Sequence, residues 1–245
     1  MPENAQQIAD DLQGRIDSGE FPPGARLPGE PALVRQYGVA KMTAGGALKI
    51  LVAEGVAQAR PGSGTYVREF KPLVRDAVRR LSRSQWASGA SVWSADVDDR
   101  PLDVADVEVE ELAAPAWAAR ALGLAEGDAV VRRGRRFVVD GKPVQSAVSY
   151  LPADLVRGTR IAEPDTGPGG TYKRLEELGS APVSFEEDVR ARMPSAAEAE
   201  SLAVPAGTPV IEVYRTAFTA DGRPVEVNRM LLDAGSYVMR YRFES

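Results

Sequence analysis

The stretch LPGEPALVRQYGVAKMTAGGALKILVAEG, residues 27–55, decides the architecture of the N-terminal third. Leu27-Pro28-Gly29-Glu30 leads into a short helix over 30–37 with Leu33 and Tyr37 on one side, and Gly38-Val39-Ala40 makes a tight turn. A further helix runs from Met42 to Glu54, with Ala47, Leu48, Leu51 and Val52 as its apolar stripe and Gly55 closing it. Upstream, Ile8, Leu12 and Ile16 recur at a spacing of four and predict a helix over 4–18, which Gly19 and Phe21-Pro22-Pro23-Gly24 stop. Downstream, two short strands, Val56 to Arg60 and Thr65 to Arg68, flank Pro61-Gly62-Ser63-Gly64. Helix, helix, three-residue turn, helix and glycine-tipped hairpin within about seventy residues is the outline of a winged helix-turn-helix.

The rest of the 245 residues leaves room for a second domain with its own core. Cysteine and histidine are both absent. That removes disulfides, thiol nucleophiles, Ser-His-Asp triads and Cys/His metal sites, so no metal or cofactor is expected and binding gains on catalysis. The net charge of −5 argues against a nucleic-acid partner only as an average. Residues 1–83 carry twelve Lys and Arg against nine acids, and the remainder eighteen against twenty-six. The basic excess is concentrated in Arg68, Lys71, Arg75, Arg79, Arg80 and Arg83. No apolar run is long enough to span a membrane, and the start does not read as a secretion signal, so a cytoplasmic protein without a membrane partner is expected.

From Gln85 onward strands predominate. Val104 to Val109 alternates as a strand does, and helices are expected near Ala114–Leu122, Tyr172–Leu178 and Ala196–Leu202. An internal repeat stands out: Gly127-Asp128-Ala129-Val130-Val131, Phe137 and Asp140-Gly141-Lys142-Pro143-Val144 recur as Gly207-Thr208-Pro209-Val210-Ile211, Phe218 and Asp221-Gly222-Arg223-Pro224-Val225. The offset is 80 residues, then 81, and each Asp-Gly supplies the backbone a tight hairpin needs. Two such hairpins predict one pseudo-symmetric antiparallel sheet, covered on one side by helices and able to leave a pocket between the repeats. The fold class is therefore α+β, divided into a winged helix-turn-helix at 1–68, a basic linker at 69–84 and a sheet domain at 85–245.

The motifs Gly19-Glu20-Phe21-Pro22-Pro23-Gly24, Leu27-Pro28-Gly29-Glu30, Tyr37-Gly38-Val39, Met42-Thr43 and Gly62-Ser63-Gly64-Thr65-Tyr66-Val67 resemble a GntR-type DNA-binding domain. Arg132-Arg133-Gly134-Arg135, Ser149-Tyr150-Leu151-Pro152, the two Asp-Gly turns, Glu226 and the closing Tyr241-Arg242-Phe243 resemble the chorismate-lyase-like UTRA effector domain of the HutC subfamily. The resemblance implies a bacterial ligand-responsive transcription regulator, usually a repressor and a homodimer on palindromic operator DNA, released by a small-molecule effector. Two other readings stay open at this point: a chorismate-lyase-like enzyme, which would leave residues 1–67 without a role, and a DNA-binding protein whose pocket is vestigial.

A recognition helix offers its N-terminal part to base edges, while hydroxyls, amides and cations hold phosphate. Lys41, Thr43 and Lys49 fit that pattern, with Thr43 placed to bond a phosphate or to cap the helix. Arg35 and Arg60 fit backbone clamps or plain surface charges, and Gly62, Ser63, Gly64 and Thr65 fit a wing entering a minor groove or an ordinary hairpin turn. The sequence departs from its family at Pro31, Gly45 and Gly46, where many relatives carry arginines, and two helical glycines cost about 1 kcal/mol each relative to alanine. For the effector, Arg133 and Arg135 share a strand face and could hold a phosphate or carboxylate, with Ser149, Tyr150 and Glu226 from the returning strands, or could form surface salt bridges with the acids of this domain. Trp93 fits either stacking on a flat ligand or filling the core. The glycine-rich loop Gly167 to Tyr172 precedes a helix and offers amides, but lacks the lysine of a nucleotide P-loop.

Overall fold

The computed structural model describes residues 4–69, 72–97, 100–204 and 207–242; Lys71 of the basic segment and Phe243 of the closing motif lie outside them. The chain divides into two compact units, residues 1–71 and 72–245.

In the first unit, helix α1 (Ala5–Asp17) starts where the Asn4 side chain accepts from the Gln7 amide at 2.9 Å, and it buries Ile8, Ala9 and Leu12. Helix α2 (Glu30–Tyr37) has a proline in its first turn and ends on Gly38, whose φ of 68° few other residues adopt. Helix α3 (Lys41–Ala53) turns Ala44, Ala47, Leu48 and Leu51 inward. Strands β1 (Ala57–Arg60) and β2 (Gly64–Val67) form an antiparallel wing, with Ala57 opposite Val67 and Arg60 opposite Gly64. Leu27, Leu33, Tyr37, Ala57 and Val67 complete one core with the inward faces of the three helices. The spacing-of-four pattern thus encodes a face that packs, because every partner lies within about sixty residues of sequence.

The second unit begins earlier than the sequence suggests. The expected linker at 69–84 is, from Leu73, part of this unit: strand β3 (Leu73–Asp76) runs parallel to the last strand, and helices α4 (Ala77–Arg80) and α5 (Arg83–Ala87) follow. Arg75 and Arg80 are fully buried. Their charges imitate a solvated linker in sequence, yet Glu187 and Asp96 meet them at 2.5 and 3.2 Å.

After a 3-10 turn at Ser94–Asp96 come β4 (Leu102–Ala113), α6 (Ala116–Leu122), β5 (Ala129–Val139), β6 (Lys142–Pro152), α7 (Ala153–Val156) and α8 (Gly170–Glu177). Then follow β7 (Ser184–Arg192), α9 (Ala196–Ser201), β8 (Val210–Phe218), β9 (Pro224–Asp233) and β10 (Tyr237–Arg240). One six-stranded antiparallel sheet runs β4-β5-β6-β9-β8-β7. The repeat is visible in it: each copy is an edge strand, a helix and a hairpin, and the returning strands β6 and β9 pair at the centre, Tyr150 opposite Val227. Helices pack on both faces and not on one as the repeat suggests, because the helix inside the first copy, α6, lies on the side away from α5, α7 and α8. Trp117 and Leu122 of α6 pack on Val130 and Val227. Trp86, Val156, Tyr172 and Leu175 pack on Val131, Leu151 and Ala217. Among the described residues no helix is long and apolar enough to cross a membrane.

Candidate functional sites

Two places gather the chemistry, one in each unit. On the first, the outward side of α3 is set by helical spacing: with Ala44, Ala47, Leu48 and Leu51 inward, Met42, Gly45 and Lys49 share the opposite face. Met42 is 89% exposed and Lys41, Lys49 and Arg35 are exposed as well. Lys41 stands 3.8 Å from Glu30, whose Oε1 lies 2.9 Å from where a Cβ on Gly45 would project. A carboxylate therefore fills the space opened by the glycine.

Thr43 is half-buried and does not cap α3: the helix begins from Ala40 with no side-chain hydrogen bond, because Thr43 sits two residues inside it. Arg60, placed in sequence as a phosphate clamp, pairs with Glu69 at 3.0 Å and stacks on Tyr66 at 4.4 Å. At the wing tip Gly62 and Gly64 take φ values of 71° and 126°, and Ser63 shares a hydrogen bond of 2.7 Å with Tyr66. Thr65 is half-buried on β2. Arg26, which the sequence reading passed over, lies against Gly64, its Nε 2.9 Å from a Cβ there. It had no motif to mark it.

In the second unit a cavity of about 320 Å³ opens beside the sheet. Its floor comes from strand alternation: Arg133, Arg135 and Phe137 on β5, Arg215 on β8 and Glu226 on β9. Trp93 closes one side, and residues 164–171 with Tyr172 of α8 the other. Along the sheet, Arg133, Ser149, Asn228, Arg215 and Glu187 stand directly opposite one another on five neighbouring strands, a polar row across the molecule.

Arg135 donates to Ser149 Oγ at 3.1 Å, and Asn228 donates to the same oxygen at 2.9 Å. Tyr172 donates to Glu226 at 2.7 Å, and Arg215 lies 3.9 Å from Glu226 and from Glu187. Arg215 is buried, and its Nε and Nη1 have no hydrogen-bond partner; neither does Arg135 Nε. The arginines on and behind the cavity wall, Arg75, Arg80, Arg133, Arg135 and Arg215, outnumber the carboxylates Asp96, Asp165, Glu187 and Glu226 by one. Burial lowers the pKa of Arg135, Glu226 counters it, and Arg215 adds to the lowering. Burial, with Arg135 nearby, brings Arg133 down to about 10. Burial, with Arg75 beside it, brings Arg80 to about 10 even though Asp96 is adjacent. Burial also drives the Tyr172 phenol well above its ordinary range, keeping it protonated as a donor. Arg135 and Arg215 keep buried nitrogens without acceptors at this cavity, so an anion entering it meets donors already desolvated.

Of the residues named from sequence, Trp93, Arg133, Arg135, Glu226 and the glycine-rich loop Gly167 to Tyr172 line this cavity. Arg133 is committed to its rim: it donates to the backbone carbonyls of Ile161, Glu163 and Pro164. Ser149 stands behind Arg135 and holds it without lining the space. Tyr150 is a correction. Its neighbour Ser149 faces the cavity side, so alternation sends Tyr150 to the other face, where its ring meets Trp117 at 5.3 Å. Arg215 was missed, and Tyr172 was named only as the end of the glycine-rich loop and not for its hydroxyl. Arg215 was legible, because the 80-residue offset of the repeat carries Arg135 onto it.

Comparison with known proteins bears on both sites. The model for "Bacterial regulatory proteins, gntR family" matches residues 4–67, and the UTRA domain model matches residues 102–237. An HTH-type transcriptional regulator of Streptomyces coelicolor is 34% identical, covering 90% of this chain and 85% of that protein. The HTH-type transcriptional repressor NagR of Bacillus subtilis is 26% identical, covering 90% and 86%. A crystal structure of a GntR-family transcriptional regulator aligns with a TM-score of 0.66 at 27% identity, covering 98% of this chain and 97% of that one.

Proposed function

The chain belongs to the gntR family of bacterial regulatory proteins, in its UTRA-bearing branch, and from that premise we propose how its two sites work together. It is a ligand-responsive transcriptional regulator and not an enzyme, its relatives being regulators. Our reading is of a cytoplasmic homodimeric repressor. Each protomer sets Lys41, Lys49, Arg35 and the wing residues Gly62 to Thr65 against one half of a two-fold operator, with Arg60 and Thr43 supporting the backbone contacts. An anionic small molecule is the effector, held by Arg135, Arg215 and Glu226 with Trp93 beside it, while Arg133 and Ser149 fix the rim and the floor.

The observation that carries the effector half is Arg215, buried with two guanidinium nitrogens unpaired at the edge of an open cavity. Leaving buried donors unmet is costly, and a ligand oxygen satisfies them. A ligand that binds one dimer geometry better than another shifts the population toward it and so changes the fit of the paired heads to DNA.

Mobility shift with promoter DNA of the protein's own operon, run with a panel of sugar phosphates and carboxylates, tests this. A specific complex at low salt is expected, released by at least one anion. Arg135→Met should keep the complex and raise the anion concentration for release by about tenfold or more, the scale of a lost charge-assisted hydrogen bond. No specific complex, or release unchanged in the variant, overturns the reading.

A further inference from the structure

The anion subsite occupies only part of the cavity, and the wall beside it, where Arg135 and Arg215 stand 5.5 and 5.9 Å from the Trp93 ring, is apolar for a reason built into the backbone. Strand β4 is irregular between Ala105 and Glu108: Ala105 pairs with Arg136 and Glu108 with Gly134, so Asp106 and Val107 together face Arg135. Asp106 takes a φ of 52°, a left-handed conformation unusual for a residue with a side chain. Its carboxylate is tied to Arg136 at 2.8 Å. In an unbroken strand Val104 and Val107, an odd number of residues apart, would point to opposite faces. With the extra residue both border the cavity, and they stay 50% and 37% exposed. A bulge of this kind re-aims a side chain, and here it adds an apolar one at a cavity mouth.

The apolar surface is continuous. Val104 pairs directly across from Phe137, and Trp93 lies on Phe137 with ring centroids 4.2 Å apart and planes inclined by 31°. Val92 adds to the same side. A polyhydroxylated body laid against this wall would lose water from its hydroxyls and find, in the five side chains, only the Trp93 indole N–H to replace it. An apolar body would cover surface that otherwise stays in contact with water.

We propose that the effector is an amphipathic anion, with an acidic head at Arg135 and Arg215 and a flat apolar body against Val104, Val107, Phe137 and Trp93. The inference rests on the anionic-effector reading given above and goes on to specify the body. Phosphate and carboxylate heads share the chemistry Arg135 and Arg215 recognise, so the test carries both.

Calorimetric titration of the full-length protein with phenyl phosphate, glucose 6-phosphate, 3-phenylpropionate and gluconate separates head from body. Within each head-group pair the aromatic ligand is expected to bind at least tenfold more tightly. Val107→Ser, at an exposed position that should not disturb folding, is expected to shrink that preference at least threefold and to leave the Kd for glucose 6-phosphate within twofold. The thermal melt of the variant confirms that it folds. Equal or tighter binding of the sugar acids overturns the amphipathic body and leaves the anion reading standing. An aromatic preference untouched by Val107→Ser also overturns the assignment to this wall. Binding of none of the four overturns both.

Discussion

The recognition face of α3 and the effector cavity use cations in opposite ways. On α3, Lys41 and Lys49 stand in water beside Met42 and two glycines, and Glu30 takes up space near Gly45. In the cavity the guanidiniums are fixed, desolvated and short of acceptors. The first arrangement costs the fold little and, on the proposed reading, would act through long-range attraction and shape, since a face with so few hydrogen-bonding groups reads few base edges directly. The second costs the fold a great deal and acts at short range. Substitutions should therefore separate the two units by kind: stability and ligand response in one, salt-dependent affinity in the other.

The largest effect is expected at Glu187, which answers buried Arg75 at 2.5 Å and approaches Arg215 at 3.9 Å. Glu187→Ala strips Arg75 of its carboxylate, and breaking a buried pair costs about 3–5 kcal/mol. Urea denaturation should show that loss in the second unit alone; a loss under 1 kcal/mol would mean that Arg75 finds water on its own.

Acid should also distinguish the units. Glu198 and Glu212 are each held at about 2, below the usual 4.5, chiefly by hydrogen bonds from Arg192. Because the folded values are depressed, their contribution is complete above the ordinary carboxylate range and lost as pH falls from there toward 2. Melts at pH 5, 4 and 3 should lower the second unit's transition progressively. A flat profile would show these pairs to be worth nothing to the fold.

A smaller change is expected at Lys41. Lys41→Ala should weaken operator binding several-fold and lower the slope of log K against log salt by about one, the signature of a single phosphate contact. A weaker complex with the slope unchanged would move Lys41 from phosphate to base contact and narrow the contrast drawn here. Smallest of all is Gly45→Ala. A Cβ there displaces only the flexible end of Glu30, so the helix should gain about 0.5–1 kcal/mol. A loss instead would show that Glu30 is held where it is.

The same contrast explains what could be read from the sequence. The head was legible because its core is local: Ile8, Leu12 and Ile16 on one helix pack against Leu48 and Leu51 on another, and the periodicity shows it. The sheet was legible through its repeat, which foretold two hairpins and, had the offset been followed to Arg135, Arg215 as well. Arg75 and Arg80 were not, since composition cannot tell a solvated arginine from one whose carboxylate, for Arg75, is 112 residues away. Tyr150 failed on parity, because residues adjacent on a strand cannot both face one cavity. Val107 stayed hidden because Val104 to Val109 reads as one alternating strand, whereas the extra residue at Asp106 changes which of its side chains share a face.

One feature of the second unit governs the order in which a newly made chain can fold. Strand β3, at 73–76, lies beside strand β10, at 237–240, in a two-stranded parallel pair. On the ribosome the head has all of its core once residue 67 has emerged, whereas β3 must wait about 160 residues for its neighbour. Through most of synthesis a finished DNA-reading module is thus tethered to a sensor whose opening strand is still without its closing one. Chains that stop before residue 237 keep the head and lose the fastening of the strand that immediately follows it.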